Sequence, residues 1–407
     1  MVLARKEIRT AVDIGSGTVR AVIAERKPSG ATVVLGIGTS ASAGLRKGMV
    51  VDIEAVGVAM ANAVAEAEAA SSMAVQSVVV GVSGSHLLSE PVTGRVAITP
   101  PDREITEDDV TQALESCRRA AEAPEREIVA VVPREYGVDS QFGILGPVGM
   151  TGSVLEVDAQ VVTGSSTALQ NLRRSASRAN LDVDRMVLES VAAARAALMP
   201  EELEAGVVLV DIGYATTDIA VFRGGSLLHA GVVPIGGSHV TNDIAVVLKV
   251  PVAYAEDLKI KSGAAWAEGV SDEEKCGFDK SISRLTLCQI IEARLDQVFE
   301  KVRENLIQSG VRGPYPGGVV LTGGTAAFRN ITDVATRALD MPARVGKTER
   351  VHADEETASS PAFAVCMGLA LCAFDDSGQQ VRRGSRGILR NSFVESVMEW
   401  FRDVFTS

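Results

Sequence analysis

Two runs in separate halves of the chain end alike: Ile8 to Gly15 (IRTAVDIG) and Val207 to Gly213 (VVLVDIG). Runs rich in β-branched residues read as buried strands, and each of these breaks at an Asp-x-Gly turn. A third run, Gly318 to Gly324 (GVVLTGG), has the same form. Between them lie alanine-rich helical stretches such as Ile53 to Ala70 and Thr167 to Ala179, so strands and helices alternate as in an α/β fold. One Asp-x-Gly turn is ordinary loop chemistry. A pair of them, each closing a buried strand in a half of similar size, predicts two hairpins that face each other.

A chain of 407 residues, 46% hydrophobic, buries a sizeable core and divides into several units. The first α/β domain is expected at 1–83 and 162–200, with a return at 360–374. The second is expected at 201–359 and includes a smaller subdomain at 251–308. Residues 84–161 read differently: strand-like pieces at Val92 to Ile98, Ile128 to Val132 and Val154 to Val161 surround one helix, as in an inserted α+β subdomain. Thr106 starts that helix as a cap, with Glu107, Asp108 and Asp109 complementing its positive end. Val110, Ala113, Leu114, Cys117 and Ala121 share its apolar face.

The net charge of −12 argues against a general nucleic-acid binder, because neutralising phosphates needs a surplus of Lys and Arg. The five cysteines are scattered without CxxC spacing and read as reduced thiols of a cytoplasmic protein, and the four histidines lie too far apart in sequence to suggest a metal site. Met1 to Thr10 shows no secretion signal. The longest apolar run, Pro361 to Phe374, falls short of the roughly 20 residues that cross a bilayer and reads as a buried helix.

The two turns carry the chemistry. In Asp13-Ile14-Gly15-Ser16-Gly17-Thr18 and in Asp211-Ile212-Gly213-Tyr214-Ala215-Thr216-Thr217-Asp218, glycines admit phosphate oxygens close to the backbone. Ser16, Thr18, Thr216 and Thr217 add hydroxyl donors. Asp13 and Asp211, at the strand ends, suit a Mg²⁺ ion held through its waters, with Asp218 assisting. The glycine pairs Gly236-Gly237 and Gly323-Gly324 offer flat turns for an adenine or ribose. Glu256 and Lys259, three apart on a helix at Ala253 to Lys261, read either as nucleotide contacts or as a surface ion pair. Glu189 reads either as a residue orienting a hydrolytic water or as a helix-capping or salt-bridging carboxylate.

With these motifs in place, the chain resembles the actin/Hsp70/sugar-kinase superfamily and, within it, the FtsA family of bacterial cell-division proteins. The matches are Arg46-Lys47-Gly48 with Asp52-Ile53, Pro133-Arg134-Glu135-Tyr136, Gly146 to Gly152 (GPVGMTG) and Asp218 to Val221 (DIAV). The resemblance implies duplicated actin-like, ribonuclease H-like domains with ATP and Mg²⁺ in the cleft between them. It also implies binding of the FtsZ C-terminal peptide by the 251–308 subdomain, with Lys280 and Arg294 as contacts, self-association into filaments, and work with other division proteins. Two departures stand out. Tyr214-Ala215 replaces two small glycines, a change expected either to narrow the cleft or to re-aim it, and Thr18 stands where a lysine-like residue often follows the first loop. The expectation is ATP binding with slow hydrolysis at most. The stretch between Gly263 and Leu285 is also shorter than in relatives.

Asp375 to Ser392 reads as a linker and 393–407 as an amphipathic helix. Phe393, Val394, Val397, Met398, Phe401, Val404 and Phe405 supply its apolar side, with Trp400 at the edge as an interfacial anchor. Arg382, Arg383, Arg386 and Arg390 precede it and attract anionic lipid. The helix is therefore expected to lie on the cytoplasmic face of the inner membrane at the division site. The competing expectation for it is packing on the protein's own core. Two other functions compete: a PilM-like pilus-assembly adaptor, which lacks such a helix, and a small-molecule kinase, for which no acceptor-site constellation stands out. An Hsp70-type chaperone is disfavoured because no β-rich substrate domain follows.

Overall fold

The structure, a computed structural model, describes residues 7–375 apart from Asp279 and the side chain of Ala358. The expected linker beyond Asp375 and the terminal helix at 393–407 lie outside the described residues.

Glu7–Ile14, Thr18–Arg26 and Thr32–Ala41 form an antiparallel meander. Ser77–Val82 then adds parallel to Glu7–Ile14, and Asp182–Leu188 adds parallel to Ser77–Val82. The second half repeats this. Val207–Ile212, Thr217–Arg223 and Ser226–Val233 form the meander, Val319–Thr322 pairs parallel to Val207–Ile212, and Ala343–Val345 follows it. Counting strands within each half, both sheets run 3-2-1-4-5. The parallel pairs require crossovers, and helices fill them. Ile53–Ser71 serves the first sheet, with Asp52 capping its start by accepting from the Ala55 amide. Strands covered by helices on both faces read as near-continuous apolar runs, and every residue of Val207–Ile212 is buried.

Two helices seal the space between the halves. Ala364–Cys372 packs on Glu189–Ala197, and residues of both share one core with strands from both sheets. The expected buried helix at 361–374 is this one. The chain returns to the first sheet earlier than expected, because Val351–His352 already pairs with Thr32 and Val33. Asp375, placed in the linker by sequence, is held in a largely buried ion pair with Arg195.

The insert is a four-stranded antiparallel sheet in the order Gln141–Ile144, Arg126–Val138, Val154–Ser165, Leu88–Ala97. The helix Glu107–Ala121 covers it with Val110, Ala113, Leu114 and Cys117. Asp109 does more than complement the helix terminus. It is buried, accepts two 2.7 Å bonds from Arg103, and accepts from both the amide and the hydroxyl of Thr106 at 2.8 and 2.6 Å.

The smaller subdomain joins Val252–Ser262 and Arg284–Gln308 through a short hairpin of Lys275–Cys276 with Ile282–Ser283. All five cysteines are free and buried, and no helix among the described residues is long and apolar enough to cross a membrane.

Candidate functional site

In each half, the strand that ends in Asp-x-Gly is flanked by a parallel neighbour, so its loop opens at the carboxyl edge of the sheet, where α/β folds hold ligands. The two loops meet across one cavity of about 940 Å³. Asp13, Gly15, Ser16, Gly17 and Thr18 line it from one half, and Asp211, Gly213, Thr216 and Asp218 from the other. Gly237, Glu256, Lys259, Gly323, Gly324 and Glu189 join them. The volume falls in the range of roughly 300 to 1,000 Å³ that houses small ligands and cofactors.

The loop amides divide into spent and free. Gly213 donates to Thr216 O at 2.9 Å, and Gly237 donates to Gly213 O at 2.9 Å, so neither N–H faces a ligand. Those of Ser16, Gly17, Tyr214 and Ala215 make no hydrogen bond among the described residues. Gly213 and Gly237 thus fix the shape of the second loop, while the residues at the loop tips carry open donors. A Cβ on Gly324 would meet open space, so the adjoining turn presents bare backbone to the cavity.

Two of the expected positions lie outside the cavity lining. The Thr217 hydroxyl donates to Ile235 O at 2.8 Å inside the sheet and is fully buried, so of the adjacent threonines only Thr216 reaches the site. Gly236 packs flat on the carbonyls of Gly213 and Tyr214, where any side chain would collide. The pair Glu256 and Lys259 is not a surface pair. Lys259 is buried, bonds Glu256 at 2.7 Å, and donates to Thr241 Oγ1 at 2.9 Å and Gly237 O at 3.3 Å.

Four carboxylates crowd the floor. Burial pushes Asp13 up to about 6, with Arg20 opposing and Asp211 adding to the rise. Burial likewise lifts Asp211 to about 6 against a 2.7 Å bond from Thr322 and the charge of Arg20. Asp218 rises to about 7, again chiefly by burial, although the Ser83 hydroxyl donates to it. Glu189 is raised well above the usual carboxylate range by burial and by Asp13, Asp218 and Asp211. It fits against Gly81, whose missing side chain leaves it room. Such a cluster attracts a cation, yet among the described residues no three Asp, Glu, His or Cys side chains converge closely enough to grip a metal directly. That donor set fits an ion held through water.

Sequence reading missed Arg20, the cation of this floor. Its guanidinium lies 3.7 Å from Asp13 and 5.2 Å over the Phe363 ring. The signal was a lone arginine in the otherwise apolar start of Thr18–Arg26, two residues past the Thr18 position where a basic residue was sought. Ser83, Thr241, Thr322 and Thr325 were also missed, since hydroxyls this far apart in sequence carry no local pattern.

Lys280 and Arg294 do not come together in one pocket. Lys280 is exposed at a left-handed turn, φ 52°. Arg294 lies in a second groove with Asp296, Gln297, Glu300, Arg303 and Arg337, and it forks onto Asp243 at 2.5 and 2.7 Å.

Comparison with known proteins agrees with the fold and with the insert. A family model described as "Cell division protein FtsA" matches residues 208–368, and one described as "SHS2 domain inserted in FTSA" matches 84–163. The FtsA of Pseudomonas aeruginosa is 36% identical over 367 residues, 88% of this chain and 88% of that protein. That of Borreliella burgdorferi is 34% identical over 400 residues, covering 96% and 97%. The Escherichia coli K12 protein is 30% identical over 378 residues, covering 89% and 90%. Among solved structures, the PilM-PilN type IV pilus biogenesis complex superposes with a TM-score of 0.67 at 18% identity over 90% of this chain and 98% of that one, a likeness of fold. The actin-like α/β architecture, the SHS2 insert and the full-length similarity together place this chain in the FtsA family of cell-division proteins.

Proposed function

We propose that the protein binds Mg²⁺-ATP between its halves and links the FtsZ ring to the cytoplasmic face of the inner membrane at the division site. One observation carries the nucleotide reading: two hairpin loops from sheets that share one five-strand order face one cavity whose floor is acidic. Ser16, Gly17, Thr18, Ala215 and Thr216 would surround the phosphates with amides and hydroxyls. Glu256, Lys259, Gly323 and Gly324 would take the nucleoside. Asp13, Asp211 and Asp218 would hold the ion through its waters, which supplies charge neutralisation beside the phosphates. Arg20 adds a fixed positive charge. Glu189, which lines the cavity, would orient a water there, and turnover would be slow at most.

The remaining parts of this reading rest on family membership. The groove around Arg294, with Arg303 and Arg337 among Asp243, Asp296 and Glu300, offers the mixed charge that suits an FtsZ C-terminal peptide. Lys280 is a separate, exposed candidate. The 393–407 segment is the proposed membrane contact, and self-association into filaments would strengthen it by avidity. The test is calorimetry of Mg²⁺-ATP binding, with FtsZ pull-down and liposome co-sedimentation on the full chain. Wild type should be positive in all three, and Trp400→Glu should lose only the liposomes. Absence of ATP binding by the wild type overturns the nucleotide reading, and co-sedimentation of Trp400→Glu equal to wild type overturns the tether.

A further inference from the structure

Tyr214 occupies the place where the two loops touch. A Cβ built on Gly17 would lie 2.8 Å from Tyr214 Cβ and Cγ and 3.0 Å from Cδ2, so the ring rests on the bare backbone of the opposite loop. This contact joins the two halves at the rim of the cavity that both residues line.

The tyrosine is built to move at its side chain and nowhere else. Its carbonyl accepts from the Ser238 amide at 2.7 Å, and Gly236 packs against the same carbonyl, which fixes the backbone. The residue is 44% exposed, and among the described residues its phenol holds no hydrogen bond. A ring anchored only by contact with Gly17 turns about its own side-chain bonds, a motion of ps–ns in an exposed residue. Leaving the glycine costs that contact each time. Resting on it, the ring links the two loops whose tip amides are open to a ligand.

We propose that Tyr214 is a gate over the phosphate end of the cavity. Polyphosphate ligands enter and leave only when the ring swings off Gly17, so the residue sets the rate of exchange more than the affinity. This rests on the reading that the cavity binds a nucleotide. It assigns Tyr214 a kinetic role: a ligand, once bound, is retained by a ring that must lift before it escapes.

The test is stopped-flow fluorescence with a Mg²⁺-bound N-methylanthraniloyl-ATP on the full-length wild type, Tyr214→Ala and Tyr214→Phe. Tyr214→Ala should associate and release about tenfold faster, with a smaller change in affinity. Tyr214→Phe keeps the ring and should match wild type. Unchanged rates in Tyr214→Ala overturn the gate, as does a Tyr214→Phe variant as fast as Tyr214→Ala, which would assign the effect to the hydroxyl. Loss of binding in Tyr214→Ala, with circular dichroism unchanged, also overturns it by making the ring a binding group. A wild type that binds no nucleotide overturns the nucleotide reading itself, a result distinct from all of these.

Discussion

Arg20 and Asp218 occupy the same position in the two hairpins: Arg20 pairs in register with Asp13, and Asp218 pairs in register with Asp211. The duplicated halves therefore place opposite charges at equivalent points of the cavity floor. The first aspartate has a neutralising neighbour. The second faces another acid, and among the described residues it is the Ser83 hydroxyl, reaching across from the first half, that relieves Asp218.

This asymmetry predicts how stability depends on pH. Asp13, Asp211 and Asp218 titrate near 6, 6 and 7 in the folded protein, above the usual carboxylate value. Acids raised by folding stabilise the fold while protonated, and that contribution is lost as pH rises through the folded values. The ligand-free protein should therefore lose stability as pH rises from about 4, the ordinary carboxylate value, to about 7, the highest of the folded values, with Mg²⁺ opposing the loss. Asp218→Asn keeps an acceptor for Ser83 and should raise the melting temperature at pH 8 by roughly 3 °C, with a smaller rise at pH 5 and little change below about pH 4. A melting temperature that does not vary with pH across this window would refute the proposed origin.

Arg20 should matter for binding as well as for balance. Arg20→Met leaves the strand pairing intact but exposes Asp13 to three other acids without a counter-charge. Affinity for Mg²⁺-ATP, measured by titration calorimetry, should fall by about tenfold or more. Equal affinity would show that the guanidinium serves only Asp13.

Gly213 is a sharper probe than its spent amide suggests. A Cβ there would meet Thr216 O at 3.2 Å, a tight approach, so in Gly213→Val the loop must yield by a few tenths of an ångström to admit the side chain. Circular dichroism should match wild type while calorimetric ATP binding disappears. Retained binding would place the phosphates elsewhere.

Reversing Arg294 alone is ambiguous, because Arg294→Glu would set two carboxylates face to face in place of the fork onto Asp243. The double exchange Arg294→Glu with Asp243→Arg preserves the ion pair. If the cation at 294 recognises the FtsZ peptide, both variants should fail in pull-down, and only the single variant should show a lowered melting temperature. Normal capture by the double variant would remove Arg294 from the interface.

The insert depends on one buried carboxylate. Arg103 and the Thr106 hydroxyl and amide hold Asp109 well below the usual carboxylate range. Its contribution is present at neutral pH and is lost as pH falls. Asp109→Ala removes the carboxylate shared by Arg103 and Thr106, leaving Arg103 its bonds to the Thr99 and Glu104 carbonyls, and should destabilise the insert by about 2–4 kcal/mol, read as early loss of protection in hydrogen exchange. Protection equal to wild type would show that the cap is dispensable.

The sequence by itself determined the repeated strand-and-loop unit, the insert and the helix faces, because backbone periodicity and glycine turns are local properties. Membership in the actin-like class followed from Asp13 and Asp211 standing at the ends of two such units. Only the tertiary structure decided which side chains the cavity receives. In a strand buried on both faces, neighbouring residues point in opposite directions and apolar composition does not say which face is which. Thus Thr216 reaches the site while Thr217 bonds Ile235. Arg20 supplies the charge sought near Thr18, and Lys259 is buried where a surface pair was equally legible. Ser83 with Asp218, and Gly17 with Tyr214, meet across the cleft because two sheets face each other. Contacts between residues so distant in the chain leave no trace in local pattern, and they exist only once both halves have folded.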